Sequence, residues 1–351
     1  MMLEELGWDS EFARHAEILL QPGQEPARVM AVDRGTYLLR GEAGEIAGEL
    51  SGRFRFEAAA NGDVPGVGDW VCMRVASPDL AVVHALLPRR SVLCRKQAGR
   101  SVERQTIGAN IDVAFLMQSC HYDFNVRRLE RYLVACRDGG IEPVVLLSKA
   151  DLLQPEELAL RVAEAGRTGI AERILTLSTR SGTGLELLQA CLEPRKTFCF
   201  VGSSGVGKST LVNALMGRDT QETRGVSGTG EGRHTTTRRE LFRLANGAWV
   251  VDTPGMRELG MAGGDEGLNA HFEDVRDLVA RCRFSDCTHS GEPGCAVRQA
   301  LEAGDLEEGR LQHYHKLRRE NEHYNRSHAE KRQRDKAFSK HVKAVLKSKP
   351  R

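Results

Sequence analysis

Gly202-Ser203-Ser204-Gly205-Val206-Gly207-Lys208-Ser209 satisfies G-x-x-x-x-G-K-[ST] at every position. It follows an apolar stretch, Thr197–Val201, and opens a helical one, Lys208–Met216, that Gly217 should end. Strand, glycine-rich turn and helix in that order are the context the motif requires. Glycine lets the chain fold back so that successive N–H groups converge at the positive end of the helix, where phosphate oxygens are held. Lys208 is expected to reach the terminal phosphates of a nucleotide and Ser209 to ligate Mg²⁺, with Thr210 also among the nucleotide-binding residues.

The second element is Asp252-Thr253-Pro254-Gly255, which follows strand Ala248–Val251 and lies 43 residues beyond Ser209. Glu240–Leu244 and an Asn246-Gly247 hairpin signal lead into it. Asp252 is expected to hold Mg²⁺, usually through water, and the Gly255 N–H to approach the γ-phosphate. Upstream of the phosphate motif the pattern alternates. Asp112–Met117, Val144–Leu147 and Ile174–Ser178 read as strands. Leu129, Tyr132, Leu133 and Cys136 share a helical face closed by Gly139-Gly140; further helices open near Pro155 and span about Leu185–Leu192. Such alternation predicts an α/β unit with a mostly parallel sheet.

Leu147-Ser148-Lys149-Ala150-Asp151 resembles the N-K-x-D guanine clamp. A carboxylate at Asp151 accepts two hydrogen bonds from guanine, a pair that adenine does not offer, so the wrong base leaves a buried charge unpaired. Ser148 stands where the pattern has Asn and removes an amide that normally ties the base and neighbouring loops. Ser178-Thr179-Arg180-Ser181-Gly182-Thr183-Gly184 looks like the loop whose backbone supports the base. Both base-reading loops precede the phosphate loop, the reverse of the ordinary GTPase order. The same sheet forms if the chain is circularly permuted, because each motif sits at a strand end and only the connections change. A P-loop ATPase or kinase is disfavoured by Lys149 and Asp151.

The flanks differ in texture. The chain has 351 residues, 40% hydrophobic, 28% charged and 5% aromatic, which predicts two or three domains and excludes a disordered chain. Met1–Gln21 lacks the apolar stretch of a signal peptide, and no run approaches the ~20 residues of a membrane span. Residues from about 27 to 94 read as short strands, with Val71, Met73 and Val75 on one face. They suggest a small antiparallel barrel; an oligonucleotide-binding (OB) type fits the length, and an SH3-like barrel fits almost as well. A polar, basic stretch, Arg95–Thr106, separates it from the α/β unit. Of nine cysteines, Cys72, Cys94, Cys120, Cys136, Cys191 and Cys199 read as small buried hydrophobes of a reducing compartment. Cys282, Cys287, His289 and Cys295 fall within 14 residues and form a Cys₃His set suited to one closed structural zinc site. The surroundings read as poor in apolar residues, so metal binding should contribute much of their folding free energy. Between Arg310 and Arg351, 14 Lys/Arg face 4 Asp/Glu, while the whole chain is only +2. His313, Tyr314, His315, Lys316, Arg318, Arg319, Tyr324, Arg326, Lys331, Arg332 and Arg334 interleave cations with rings, a mixture suited to RNA phosphates and bases. Lys340–Arg351 is expected to be disordered when free.

Together these residues resemble the circularly permuted, ribosome-small-subunit-dependent GTPases of bacteria. The resemblance covers barrel, permuted core, Gly232-Arg233-His234-Thr235-Thr236-Thr237 in the switch I position, and the cysteine module. It implies a multidomain chain: an N-terminal extension (1–26), an OB-like β-barrel (27–95), a circularly permuted P-loop GTPase domain (107–264), and an α-helical zinc-binding domain with a basic tail (265–351). It implies GTP hydrolysis stimulated by the 30S subunit, a role in its late maturation, 16S rRNA contact, a cytoplasmic location and a monomer. One threonine of the switch should contact Mg²⁺, and Thr236 is favoured over Thr235 and Thr237. Met256 occupies the place where many GTPases put a water-orienting Gln, and His234 resembles the histidine assigned that role. The competing reading is an RNA-binding assembly checkpoint that uses GTP only as a conformational ligand.

Overall fold

The computed structural model describes residues 2–33, 35–61, 63–96, 104–168, 173–217, 239–252, 266–289 and 291–322. A helical turn, Leu3–Leu6, and helix α1 (Ser10–Leu19) come first. They precede β1 (Glu25–Asp33), β2 (Thr36–Gly41), β3 (Gly44–Leu50), α2 (Gly52–Asn61), β4 (Trp70–Ser77) and β5 (Leu80–Leu86). The strands pair in the order β1-β2-β3-β5-β4, and β4 returns to β1, so the sheet closes. Only β3 and β5 run parallel, and α2 lies between the third and fourth strands with Phe54 and Ala58 in the barrel core. A closed five-stranded barrel of this order is the OB-type alternative. Helix α2 departs from the strands expected throughout residues 27 to 94. In β4 the expected alternation stops halfway: Trp70 to Met73 are all buried, whereas Val75 is exposed. Trp70 and Cys72 pack toward α1 while Val71 and Met73 fill the barrel, so both faces of that half-strand are covered.

The basic stretch after the barrel carries structure of its own. β6 (Val92–Lys96) and β7 (Arg104–Ala109) pair antiparallel as a two-stranded ribbon.

The α/β unit follows as β8 (Val113–Ser119), α3 (Val126–Asp138), β9 (Glu142–Ser148), α4 (Pro155–Gly166), β10 (Ile174–Thr176), α5 (Leu185–Cys191), β11 (Thr197–Val201), α6 (Lys208–Met216), β12 (Arg239–Arg243) and β13 (Trp249–Asp252). Its strands lie in the order β10-β9-β8-β11-β13-β12, all parallel except β12. Both faces are covered, which is why β8 reads as an uninterrupted apolar run. Ala114 and Leu116 meet α3 and α4 on one side, and Val113, Phe115 and Met117 meet α5 and α6 on the other. Phe115 stacks on Phe198 and Phe200 at 5.9 and 5.2 Å between ring centroids. Burying one such ring contributes about 2–3 kcal/mol.

Barrel and α/β unit share one sheet, because β1 also pairs with β12 through Ala31↔Glu240 and Val32↔Arg239. Arg28, 1% exposed, locks the joint. Its guanidinium donates to the Leu6 carbonyl, to Thr197 Oγ1 at 2.6 Å and to the Gly68 carbonyl at 3.4 Å. Burial pulls it down to about 10, so it remains charged at neutral pH. The Trp249 indole N–H donates to the Glu5 carbonyl at 2.9 Å and pins the N-terminal turn across the same seam.

The C-terminal module comprises α7 (Glu266–His271), α8 (Glu273–Ala280), α9 (Ala296–Ala303) and a helix over 308–322, here α10. It has a core of its own, with Phe272, Val275, Val297, Leu311, Tyr314 and Leu317 packed on Val134 of α3. The stretch from Cys282 to Cys295 contributes little to it beyond Cys295; the core residues sit at helical spacing on either side of that stretch and converge only on folding. No helix among the described residues is long and apolar enough to cross a membrane.

Candidate nucleotide and metal sites

Parallel strands place their C-terminal ends on one edge of a sheet, and ligands of open α/β sheets bind outside that edge. Ser148 ends β9, Ser178 follows β10, Gly202 follows β11, and the backbone of Asp252 ends β13. The four expected motifs therefore share one edge despite their reversed order along the chain.

The phosphate loop turns tightly where it leaves β11. A Cβ on Gly202 would lie 2.3 Å from the Met117 carbonyl oxygen, so only glycine fits between the loop and β8. Gly207 caps α6 with φ +100°, and Gly217 ends that helix. The Lys208 ammonium donates to the carbonyls of Gly202 and Ser203, both at 2.6 Å, which keeps its chain curled over the loop. Ser204, Gly205 and Val206 complete the turn; Val206 is buried, while Ser209 and Thr210 begin the helix.

Ser148 does more than its sequence reading allowed. It is 2% exposed, and its hydroxyl lies 2.7 Å from the Val206 carbonyl and 3.2 Å from that of Gln118. A hydroxyl has one proton, and the shorter contact, to Val206, takes it. The loop tie expected to vanish with asparagine is thus made by a shorter side chain, because β9 passes close enough to the phosphate loop. Lys149 follows with φ +59°, and Ala150, Asp151 and Leu152 form one 3₁₀ turn. The Ala150 N–H donates to the Leu177 carbonyl at 3.1 Å, joining this loop to the next. There, Ser178 Oγ accepts from the N–H groups of Arg180 and Ser181, both at 3.2 Å, a local turn that fixes the supporting loop. His234, Thr235, Thr236, Thr237, Gly255 and Met256 lie outside the described residues.

Spacing along the chain gave no signal for one neighbour of the phosphate loop: the Ser203 hydroxyl donates to the carboxylate of Asp123, between β8 and α3.

The donor atoms of Cys282, Cys287, His289 and Cys295 all lie within 4.8 Å of one another. Cys282 Sγ is 3.9 Å from Cys295 Sγ and 3.6 Å from His289 Nδ1, and Cys295 Sγ is 3.5 Å from the same nitrogen. Metal–sulfur bonds of ~2.3 Å in a tetrahedron require edges of about 3.8 Å, so the set fits a closed four-coordinate ion. His289 adopts φ +62° to turn its ring inward. Burial pushes the Cys282 thiol up, but the N–H groups of Val297 and Ala296 at the start of α9 outweigh it and leave the thiol below its usual range. Cys295 caps the same helix, accepting from the Arg298 N–H at 3.4 Å. Two of the sulfurs thus sit at the positive end of a helix. Of the remaining cysteines, Cys72, Cys120, Cys136 and Cys199 are buried, Cys94 is half-buried, and Cys191 departs furthest from the expectation, ending α5 on the solvent side.

The basic helix divides. His313 and Tyr314 are buried in the module, not presented to solvent, whereas Lys316, Arg318 and Arg319 are exposed. His313 Nδ1 lies 2.5 Å from Glu130 Oε2 of α3. Tyr324, Arg326, Lys331, Arg332, Arg334 and the tail from Lys340 lie outside the described residues. Arg318, Arg319 and His315 line a hollow of about 440 Å³ beside the metal site.

The RsgA GTPase family model matches residues 86–262. A small ribosomal subunit biogenesis GTPase RsgA 2 from Lactiplantibacillus plantarum is 43% identical over 309 residues, 88% of this chain and 86% of that protein. A small ribosomal subunit biogenesis GTPase RsgA from Opitutus terrae is 42% identical over 331 residues, 91% of this chain and 90% of its own. Among solved structures, YjeQ from Thermotoga maritima is similar with a TM-score of 0.60 and 27% identity, covering 85% of this chain and 98% of that one. YloQ, described as a circularly permuted GTPase, gives 0.58 and 26%, covering 85% and 95%. With a permuted phosphate-loop sheet, an OB-type barrel and a Cys₃His helical module in one chain, this protein belongs to the RsgA GTPase family.

Proposed function

We propose that this GTPase hydrolyses GTP on the small ribosomal subunit, assists late maturation of that subunit through rRNA contacts, and leaves on hydrolysis. The relatives are named for small ribosomal subunit biogenesis. The observation that carries the reading is the Ser148–Val206 bond, which couples the guanine loop to the phosphate loop at one sheet edge. Asp151 reads guanine, with Lys149 and Ala150 beside it and Ser178 supporting the base from the adjoining loop. Residues Gly202 to Thr210 hold the phosphates, with Lys208 on the terminal ones. Ser209, Asp252 and Thr236 are the residues that would hold Mg²⁺, which when bound neutralises charge on the β- and γ-phosphate oxygens. The Gly255 N–H faces the γ-phosphate, and His234 orients the attacking water where Met256 cannot. Cys282, Cys287, His289 and Cys295 hold one structural zinc ion; four protein ligands leave no position for chemistry. The chain acts as a cytoplasmic monomer, with the domains divided near residues 26, 95, 107 and 264.

GTP turnover with and without purified 30S subunits tests the proposal. Strong stimulation is expected, together with trapping on the subunit by a non-hydrolysable GTP analogue. Equal occupancy of the subunit with GDP and the analogue would favour the checkpoint reading. His234→Ala should bind GTP almost normally and lose most stimulated turnover.

A further inference from the structure

Two segments 80 residues apart meet beside the phosphate loop. The loop between β8 and α3 is fixed at its ends by Gln118, which is fully buried. That side chain accepts from the Asn125 N–H at 2.8 Å and donates to the Asn125 carbonyl at 3.1 Å. Asn125 in turn caps α3 by accepting from the Arg128 N–H at 3.0 Å. From the first turn of α3, Arg128 pairs with one Asp123 carboxylate oxygen at 2.8 Å and donates to the Asp123 carbonyl. The other carboxylate oxygen accepts the Ser203 hydroxyl, and the Ser203 carbonyl accepts from Lys208. Gly202 meanwhile presses on Met117 of β8. The entry to the phosphate loop is thus held against β8 by backbone contact on one side and a charged side chain on the other.

We infer that Asp123 is a positioning residue for the phosphate loop: oriented by Arg128, it accepts the Ser203 hydroxyl and fixes the loop's entry for nucleotide phosphates. The inference rests on the GTP-binding reading above. A hydrogen bond to a carboxylate is about twice as strong as a neutral one, which suits a loop whose glycines would otherwise leave it free to move. A carboxylate this close to a phosphate site needs a neutralising partner, and Arg128 supplies one.

The test measures GDP and GTP dissociation constants of the full-length, zinc-loaded protein for Asp123→Ala, Ser203→Ala, the double variant, Asp123→Asn and Ser203→Thr. Each alanine variant should weaken both nucleotides by roughly tenfold, and the double variant should be no weaker than the worse single one. Ser203→Thr, which keeps the hydroxyl, should stay within about threefold of the parent. Asp123→Asn, which keeps an acceptor but not the ion pair, should fall between. Single variants that bind like the parent, or losses that multiply in the double variant, overturn the inference. So does a lowered melting temperature with unchanged affinity in Asp123→Ala, the signature of a residue that serves only α3. A parent protein that binds no GTP sinks the nucleotide reading itself, so the two failures are distinguishable.

Discussion

The α/β unit carries two neighbours, and it holds them by different physics. The barrel is joined through backbone: β1 continues the sheet onto β12, and Arg28 and Trp249 donate to uncharged oxygens across the seam. The metal module is joined through side chains, with Val134 of α3 in its apolar core and ionisable groups beside it. Glu130 of α3 receives Arg310 at 3.1 Å and His313 at 2.5 Å, with His271 3.9 Å away, and Arg310 also pairs with Asp274. Arg131 and Glu320 form a bidentate pair nearer the surface, at 2.8 and 3.0 Å. Sheet continuity resists pH and salt, because its partners do not titrate and its geometry is set by every residue of the ladder. A docking surface of carboxylate, imidazole and guanidinium responds to protons, to salt and to whatever orders the module.

The largest expected effect separates the two joints outright. Stripping the metal with a chelator should cost the module several kcal/mol and open the loop from Cys282 to Cys295 together with α9, while the barrel seam stays closed. Hydrogen exchange reads this directly. Loss of protection in β1 and β12 alongside α9 would show that the two joints are not independent.

Next comes Glu130→Ala, which removes a buried anion and takes away the carboxylate facing His313, while Arg310 keeps its pair with Asp274 and the His271 carbonyl; about 4 kcal/mol of stability should go, measured by denaturant unfolding. The pH dependence has a definite sign. Burial pushes the Glu130 carboxyl up, but His271 and His313 outweigh it and hold the group at about 2, below the ordinary 4.5. Burial also holds His271 below its usual 6.5. Both folded-state values are depressed, so both contributions are complete above the ordinary values. The His271 contribution fades below about 6.5, and the Glu130 contribution fades from 4.5 toward 2. Glu130→Gln should flatten the lower limb. The parent is the control, because protonation of the metal ligands acts on both alike.

Arg28→Met should cost about 3 kcal/mol by leaving Thr197 and the Leu6 carbonyl without a donor, with no comparable change in pH dependence. A slope like that of the Glu130 joint would erase the contrast. The smallest effect belongs to Arg131→Ala. Its pair with Glu320 is 25% and 35% exposed, so the loss should stay under about 1 kcal/mol and shrink with salt.

Legibility followed the distance over which each residue acts. The phosphate loop and α6 were readable because glycine, lysine and helix signals occupy one short stretch, and the hairpin at Asn246-Gly247 for the same reason. The helix α2 was hidden inside a glycine-punctuated region that reads as strands. The ribbon β6–β7 was hidden too, because the charges within Arg95–Thr106 make it read as a polar, basic stretch between domains. Basic neighbours give His313 and Tyr314 the sequence texture of surface residues. Their burial depends on α3, more than 170 residues earlier. Asp123 carried no signal, since a lone carboxylate before a helix is common and its partner lies far along the chain.

What the amino-acid order determined alone is local: turn chemistry, helix periodicity, and clusters of donor atoms within a few residues of one another. These suffice to name a phosphate loop and a metal set, because each needs groups that are neighbours in the chain. The tertiary structure decided what depends on distant strands being brought side by side. Ser148 ties to Val206 and Asp123 to Ser203 only because parallel β8, β9 and β11 bring their ends to a common edge. Packing sets those distances, and no spacing along the chain encodes them.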